Sequence, residues 1–84
     1  MSVYILEIKT SGAGACEMLE HRIYKHPDNA IDAAVSLLIK RFGCKPDDIY
    51  VDFFDVKTRM MKLVYNRGMG NCHVATITRK KVED

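Results

Sequence analysis

Six side chains in this sequence could bind a metal or carry nucleophilic chemistry: Cys16, His21, His26, Cys44, Cys72 and His73. Zinc wants four converging donors, commonly delivered as closely spaced pairs. No CxxC pair is present, and Cys72 and His73 are neighbours on an expected strand, so they point to opposite faces. No metal site and no cofactor is expected; the thiols read as two small core residues and one turn residue, the histidines as surface residues. A nucleophile and base could meet only if the strands carrying Cys72 and His21 pair, and nothing in the sequence orients the base. Asp47, Asp48, Asp52 and Asp55 look like turn and edge residues rather than an acid–base pair. Gly12 and Gly14 form a lone GxG after a strand, but a dinucleotide fingerprint needs a helix next, and a strand pattern follows instead. The chain is therefore expected to be non-enzymatic.

Cations carry the stronger hint. Residues 1–56 hold six basic and nine acidic side chains, a balance of −3, whereas residues 57–84 hold seven basic and two acidic, a balance of +5. The basic group is Lys57, Arg59, Lys62, Arg67, Arg79, Lys80 and Lys81, with Tyr50, Phe54 and Tyr65 expected nearby. Cations interleaved with aromatic rings suit single-stranded nucleic acid, because charges follow phosphates while rings stack on bases. The alternative is a solubilising face whose edge lysines discourage sheet-to-sheet association.

These residues must be positioned by a small scaffold. A chain of 84 residues makes one domain and buries roughly 60–65% of its unfolded surface, enough for one modest core. Its 48% hydrophobic and 29% charged composition is that of a globular protein, with no apolar run long enough to span a membrane. The first residues carry no basic segment and reach Glu7 early, unlike a signal peptide, and three cysteines make no disulfide framework. A cytoplasmic location is expected.

The best-specified element is a helix over residues 29–42. Ile31, Ala34, Val35, Leu38 and Phe42 recur at the spacing of one helical face. Asn29 is the expected N-cap, with Asp32 as an imperfect capping-box partner; Lys40 and Arg41 complement the C-terminal dipole, and Gly43 suits a left-handed stop. Strands are expected over residues 3–10, 16–25, 49–55, 60–66 and 72–79, with turns at residues 11–15, 45–48, 55–59 and 67–71 and a charged tail at 80–84. The second strand is untidy in its alternation, which a bulge would explain; the facing of the last is ambiguous. In the third strand Ile49, Val51 and Phe53 share one face, and Tyr50, Asp52 and Phe54 the other.

The order ββαβββ implies an α+β fold: a five-stranded antiparallel sheet curled around one helix, in two layers. The loop at 67–71 leaves no room for the second crossover helix of an RNA-recognition fold. One helix covers one sheet face, so Val3, Ile5, Tyr50, Phe54, Met60 and Val64, on the opposite parity, should form an apolar patch that meets a second copy or a partner.

The expected function is a small binding protein that docks on, and inhibits, a macromolecule through this open face and the basic C-terminal hairpin. Size, five methionines and the lack of catalytic motifs suit an accessory protein of a phage or mobile element. The expected contact residues are Tyr50, Phe54, Lys57, Arg59, Met60, Lys62, Arg67, Arg79, Lys80 and Lys81. A protein partner is expected before RNA, with a homodimer as a further expectation and no membrane involved; RNA or single-stranded nucleic acid is the alternative ligand for the same residues.

Overall fold

Alternating apolar residues give long strands at both ends of the chain, and one amphipathic segment lies between them. In the computed structural model, which describes residues 1–12, 15–68 and 71–82, these form β1 (Ser2–Gly12), β2 (Ala15–Tyr24), α1 (Pro27–Phe42), a 3₁₀ turn (Pro46–Asp48), β3 (Ile49–Phe54), β4 (Met61–Gly68) and β5 (Asn71–Lys81). The strands make one antiparallel sheet in the order β2-β1-β5-β4-β3. The two outer strands run parallel to each other, and α1 links them by crossing the sheet. The chain is thus the expected α+β fold with one helix and the order ββαβββ.

The helix begins two residues before the expected start. His26 occupies the N-cap position without a side-chain hydrogen bond, and Pro27 opens the first turn. Proline is suited there because its fixed φ is helical and its missing N–H would have no intrahelical partner. Asn29 and Asp32 consequently sit inside the helix, and the expected capping box does not form. The C-terminus is as expected: Gly43 adopts φ 66° and donates its N–H to the Ile39 carbonyl at 2.9 Å.

The core forms where α1 meets the sheet. Ala30, Ala34 and Leu38 are fully buried against Leu6, Ile8, Ala75 and Ile77. The two helix alanines and Ala75 add little bulk, which lets the helix backbone approach the strands. Register settles the facing of β5: His73, Ala75 and Ile77 lie level with Thr10, Ile8 and Leu6 on the helix side, and Cys72, Val74, Thr76 and Thr78 take the open side. His73 is accordingly buried rather than a surface histidine. Its ring stacks on Phe42 at 3.7 Å between centroids and 9° between planes, with Tyr65 beyond it at 5.8 Å.

The irregularity expected in the second strand has a location. The register between β1 and β2 shifts after Ile8, leaving Leu19 without an opposite residue, which accounts for the untidy alternation in β2. A second shift, in β3, was not foreseen. Tyr50 pairs with Val64 and Val51 with Leu63, but Phe53 then pairs with Lys62 and Phe54 with Met61. Asp52 is the extra residue. Beyond it the alternation inverts, so Phe53 shares the open face with Tyr50 and Phe54 shares the helix side with Ile49. The expected assignment of Phe54 to the open face is therefore corrected.

Candidate docking surface

A helix with its side chains is about 10–12 Å across, while neighbouring strands are about 4.8 Å apart. One helix therefore covers two or three strands of five. Here α1 packs on β1, β5 and β2, and the opposite edge of the sheet extends beyond it. Only Ile49 of β3 is even half-buried, and the other five residues of that strand are exposed. Of nine exposed large apolar residues among those described, five lie within residues 50–56: Tyr50 at 51%, Val51 at 54%, Phe53 at 52%, Phe54 at 39% and Val56 at 74%. Tyr50 and Phe53 look out from the open face, Val51 and Phe54 from the helix side. The strand is bare on both faces and along its outer edge.

The expected open-face patch is smaller at its centre than the parity pattern implied. Val64 is only 7% exposed, although no helix covers it. Tyr50 and Val74 flank it across the strands, and Lys62 and Asn66 stand two residues away on its own strand. Val3 and Ile5 are half-buried, and Met60, also half-buried, precedes β4 instead of lying within it. Among the six residues expected in that patch, Tyr50 alone is both exposed and on the open face. Val51, Phe53 and Val56 were missed. Comparing the width of one helix with that of five strands would have drawn attention to them.

The loop after β3 is held by its own residues. Asp55 accepts the Lys57 N–H at 2.9 Å and the Thr58 N–H at 3.5 Å, and these donors, the Lys57 amide foremost, hold its carboxyl below the usual carboxylate range. Arg59 adopts φ 63°, a left-handed conformation that is costly for a residue with a Cβ. Its guanidinium reaches Asp28 at the start of α1 at 2.7 Å and lies 6.0 Å from the Phe54 ring centroid. Arg59 thus ties the loop to the helix N-terminus.

The remaining expected cations divide into two groups. Lys62 lies 3.5 Å from Asp52 across the open face. The Arg67 side chain lies outside the described residues. Lys57, Arg79, Lys80 and Lys81 are exposed, and Arg79 donates to the Ser2 hydroxyl at 3.1 Å. Register brings these four to one end of the sheet, where β5 ends beside the start of β1 and the loop joining β3 to β4 emerges. That end adjoins the exposed apolar residues. At the far end of β3 stand the exposed carboxylates Asp47 and Asp48.

The opposite edge of the sheet is guarded differently. Arg41 of α1 donates to the Leu19 carbonyl of β2 at 3.4 Å and to Glu20 at 2.9 Å, while Arg22 reaches Glu20 from its other side at 3.3 Å. Arg41 is the main reason the Glu20 carboxyl sits below the usual range. A charged side chain from the helix thus reaches one backbone carbonyl of that strand, at the bulge residue Leu19.

Cys72 and His21 do not come together. They stand on strands separated by β1, with His21 level with Thr76. Among the described residues no enclosed pocket and no group of three metal-donating side chains is found, and no helix is long and apolar enough to cross a membrane. Comparison with protein-family models, with curated proteins and with solved structures gives no match to this chain.

Proposed function

We propose that this protein is a non-enzymatic binding module that docks on a macromolecule, a protein before an RNA, through β3 and the basic end beside it. The supporting observation is the concentration of half-exposed apolar side chains on a free sheet edge, with Tyr50, Val51, Phe53, Phe54 and Val56 in seven consecutive residues. Natural edges are usually blunted by charged side chains, proline, a bulge or a covering element. Between Ile49 and Val56 this edge has no lysine, no proline and no covering element, only Asp52 with its bulge and Asp55. Removing the exposed groups from water would favour association, and Lys57, Arg79, Lys80 and Lys81 would select a partner with acidic neighbours.

Those four cations favour RNA as the second reading, since they lie together at one end rather than scattered. The readings separate by experiment. Tagged protein purified from its host should retain a partner after nuclease treatment, and Phe53→Lys should lose it. For RNA, retention should end with nuclease, and Lys80→Glu with Lys81→Glu should be the damaging pair. Binding to labelled RNA would also weaken steeply with salt as counterions return to the phosphates. Equal recovery of the same partners by wild type and both variants would defeat the proposal.

A further inference from the structure

We infer that the free edge of β3 pairs antiparallel with β3 of a second copy, joining two sheets into one of ten strands. This rests on the reading of β3 as a docking element and specifies its occupant. Three observations favour a second copy over a foreign strand.

The first is self-complementarity, and the bulge creates it. With Asp52 as the extra residue, Tyr50 and Phe53 share the open face while Ile49 and Phe54 share the helix side. These pairs are symmetric about the peptide between Val51 and Asp52. A two-fold axis there sets Tyr50 opposite the second copy's Phe53, and Ile49 opposite its Phe54, each pair occurring twice. Aromatic–aromatic and aromatic–β-branched neighbours are the favourable cross-strand combinations. Without the bulge the same axis would oppose residues from different faces.

The second is charge. The two ends of β3 differ in sign, with exposed Asp47 before it and exposed Lys57 after it. Antiparallel pairing brings Asp47 of each copy to within one position of Lys57 on the other. The same register brings Asp48 near the second copy's Asp55. Both carboxylates already have donors, Asp48 from the Lys45 N–H at 3.0 Å and Asp55 from the Lys57 N–H at 2.9 Å. Asp52, near the axis, has Lys62 of its own chain at 3.5 Å.

The third is area. Three roughly half-exposed aromatic rings and two exposed valines offer on the order of 500 Å² per copy, and a second copy doubles this to at most about 1,000 Å². Edge pairing leaves both sheet faces open, so the area buried falls short of that ceiling and a weak, reversible dimer is expected. Both helices would lie on the same side, leaving one wide open face and a basic end at each extremity.

Sedimentation of the full chain over a concentration series tests the pairing. Wild type should pass from monomer to dimer. Phe53→Lys, and Tyr50→Lys as a second variant on the same face, should weaken the dimer at least tenfold while far-ultraviolet circular dichroism stays unchanged. Ile23→Lys, at an equally exposed apolar site on the β2 edge, should leave it intact. In a mixture of labelled and unlabelled copies, intermolecular contacts should link the Tyr50 and Phe53 rings. Wild type that stays monomeric up to about 1 mM, or a dimer indifferent to both lysine variants, would overturn self-pairing. A monomer whose partner capture is nonetheless lost in Phe53→Lys assigns the edge to a foreign strand, overturning the second copy but keeping β3 as a docking element. Variants that change neither mass nor capture remove both.

Discussion

Truncating Leu38 should cost far more than truncating Val51, and the contrast follows from where α1 lies. Leu38 is fully buried between helix and sheet. One turn earlier on the same helix face stands Ala34, whose methyl cannot swing into a hole left by Leu38→Ala. Phe42, one turn later, is held in its stack with His73. The cavity should therefore persist, and a mid-range cost of about 3 kcal/mol is expected. A chain of this size has a total stability of about 4–12 kcal/mol, so the loss is a large fraction. In melting temperature it amounts to a fall of roughly 12–24 °C. Val51 is 54% exposed on a strand outside the helix's main contacts, and Val51→Ala should cost under about 1 kcal/mol. Urea and thermal unfolding followed by circular dichroism, at a concentration low enough to keep the chain monomeric, would measure both. A Leu38→Ala cost below about 1 kcal/mol, or equal costs at the two sites, would refute the placement of helix over sheet.

Other outcomes follow from local geometry. Arg59→Gly should be more stable than Arg59→Ala by about 1 kcal/mol, since both lose the exposed link to Asp28 but only glycine relieves the left-handed backbone; equal unfolding midpoints would argue against that strain. The carboxyls of Glu20 and Asp55 lie below their usual range when folded, so they bind protons less readily than in the unfolded chain. Their contribution is present above the unfolded values and is lost as pH falls through the folded ones. Asp55→Asn with Glu20→Gln should therefore flatten the acid limb of stability, read from urea midpoints across that range, and an unchanged limb would contradict this. Burial pushes the Cys44 thiol up and its Sγ donates to the Leu38 carbonyl at 3.5 Å, so alkylation of the folded protein should reach half-buried Cys72 before Cys44; the opposite order by mass spectrometry would contradict this.

Periodicity made most of the fold readable. The three-and-four spacing from Ile31 to Phe42 marked the buried face of the helix, and Gly43 marked its end. Short turns forced antiparallel neighbours and excluded a second crossover helix. What escaped was local. A bulge at Asp52 inverts the facing of Phe53 and Phe54, yet the residues IYVDFF read as an unbroken alternation because a bulge needs no special residue. Pro27 can either precede a helix or open it, and the expectation made it a boundary. His73 in a run of β-branched residues gives no sign that Phe42 will cover it. The candidate surface was half legible: Tyr50 and the cations at the chain's end stood out, but Arg59 serves the helix N-terminus and Lys62 faces Asp52. Val51 and Phe53 were assigned to a covered face, although one helix is too narrow to cover five strands.

Amide hydrogen exchange along β3 tests most directly whether this strand is a docking element. Amides along β3 point alternately to β4 and to the free edge; those at the edge should exchange fast in dilute protein, relative to β5, and should slow as concentration rises or a captured partner is added. The amides of β2, at the opposite edge of the sheet, should not change. Exchange in β3 that stays the same under every condition in which the protein self-associates or holds a partner would contradict a docking role for that edge.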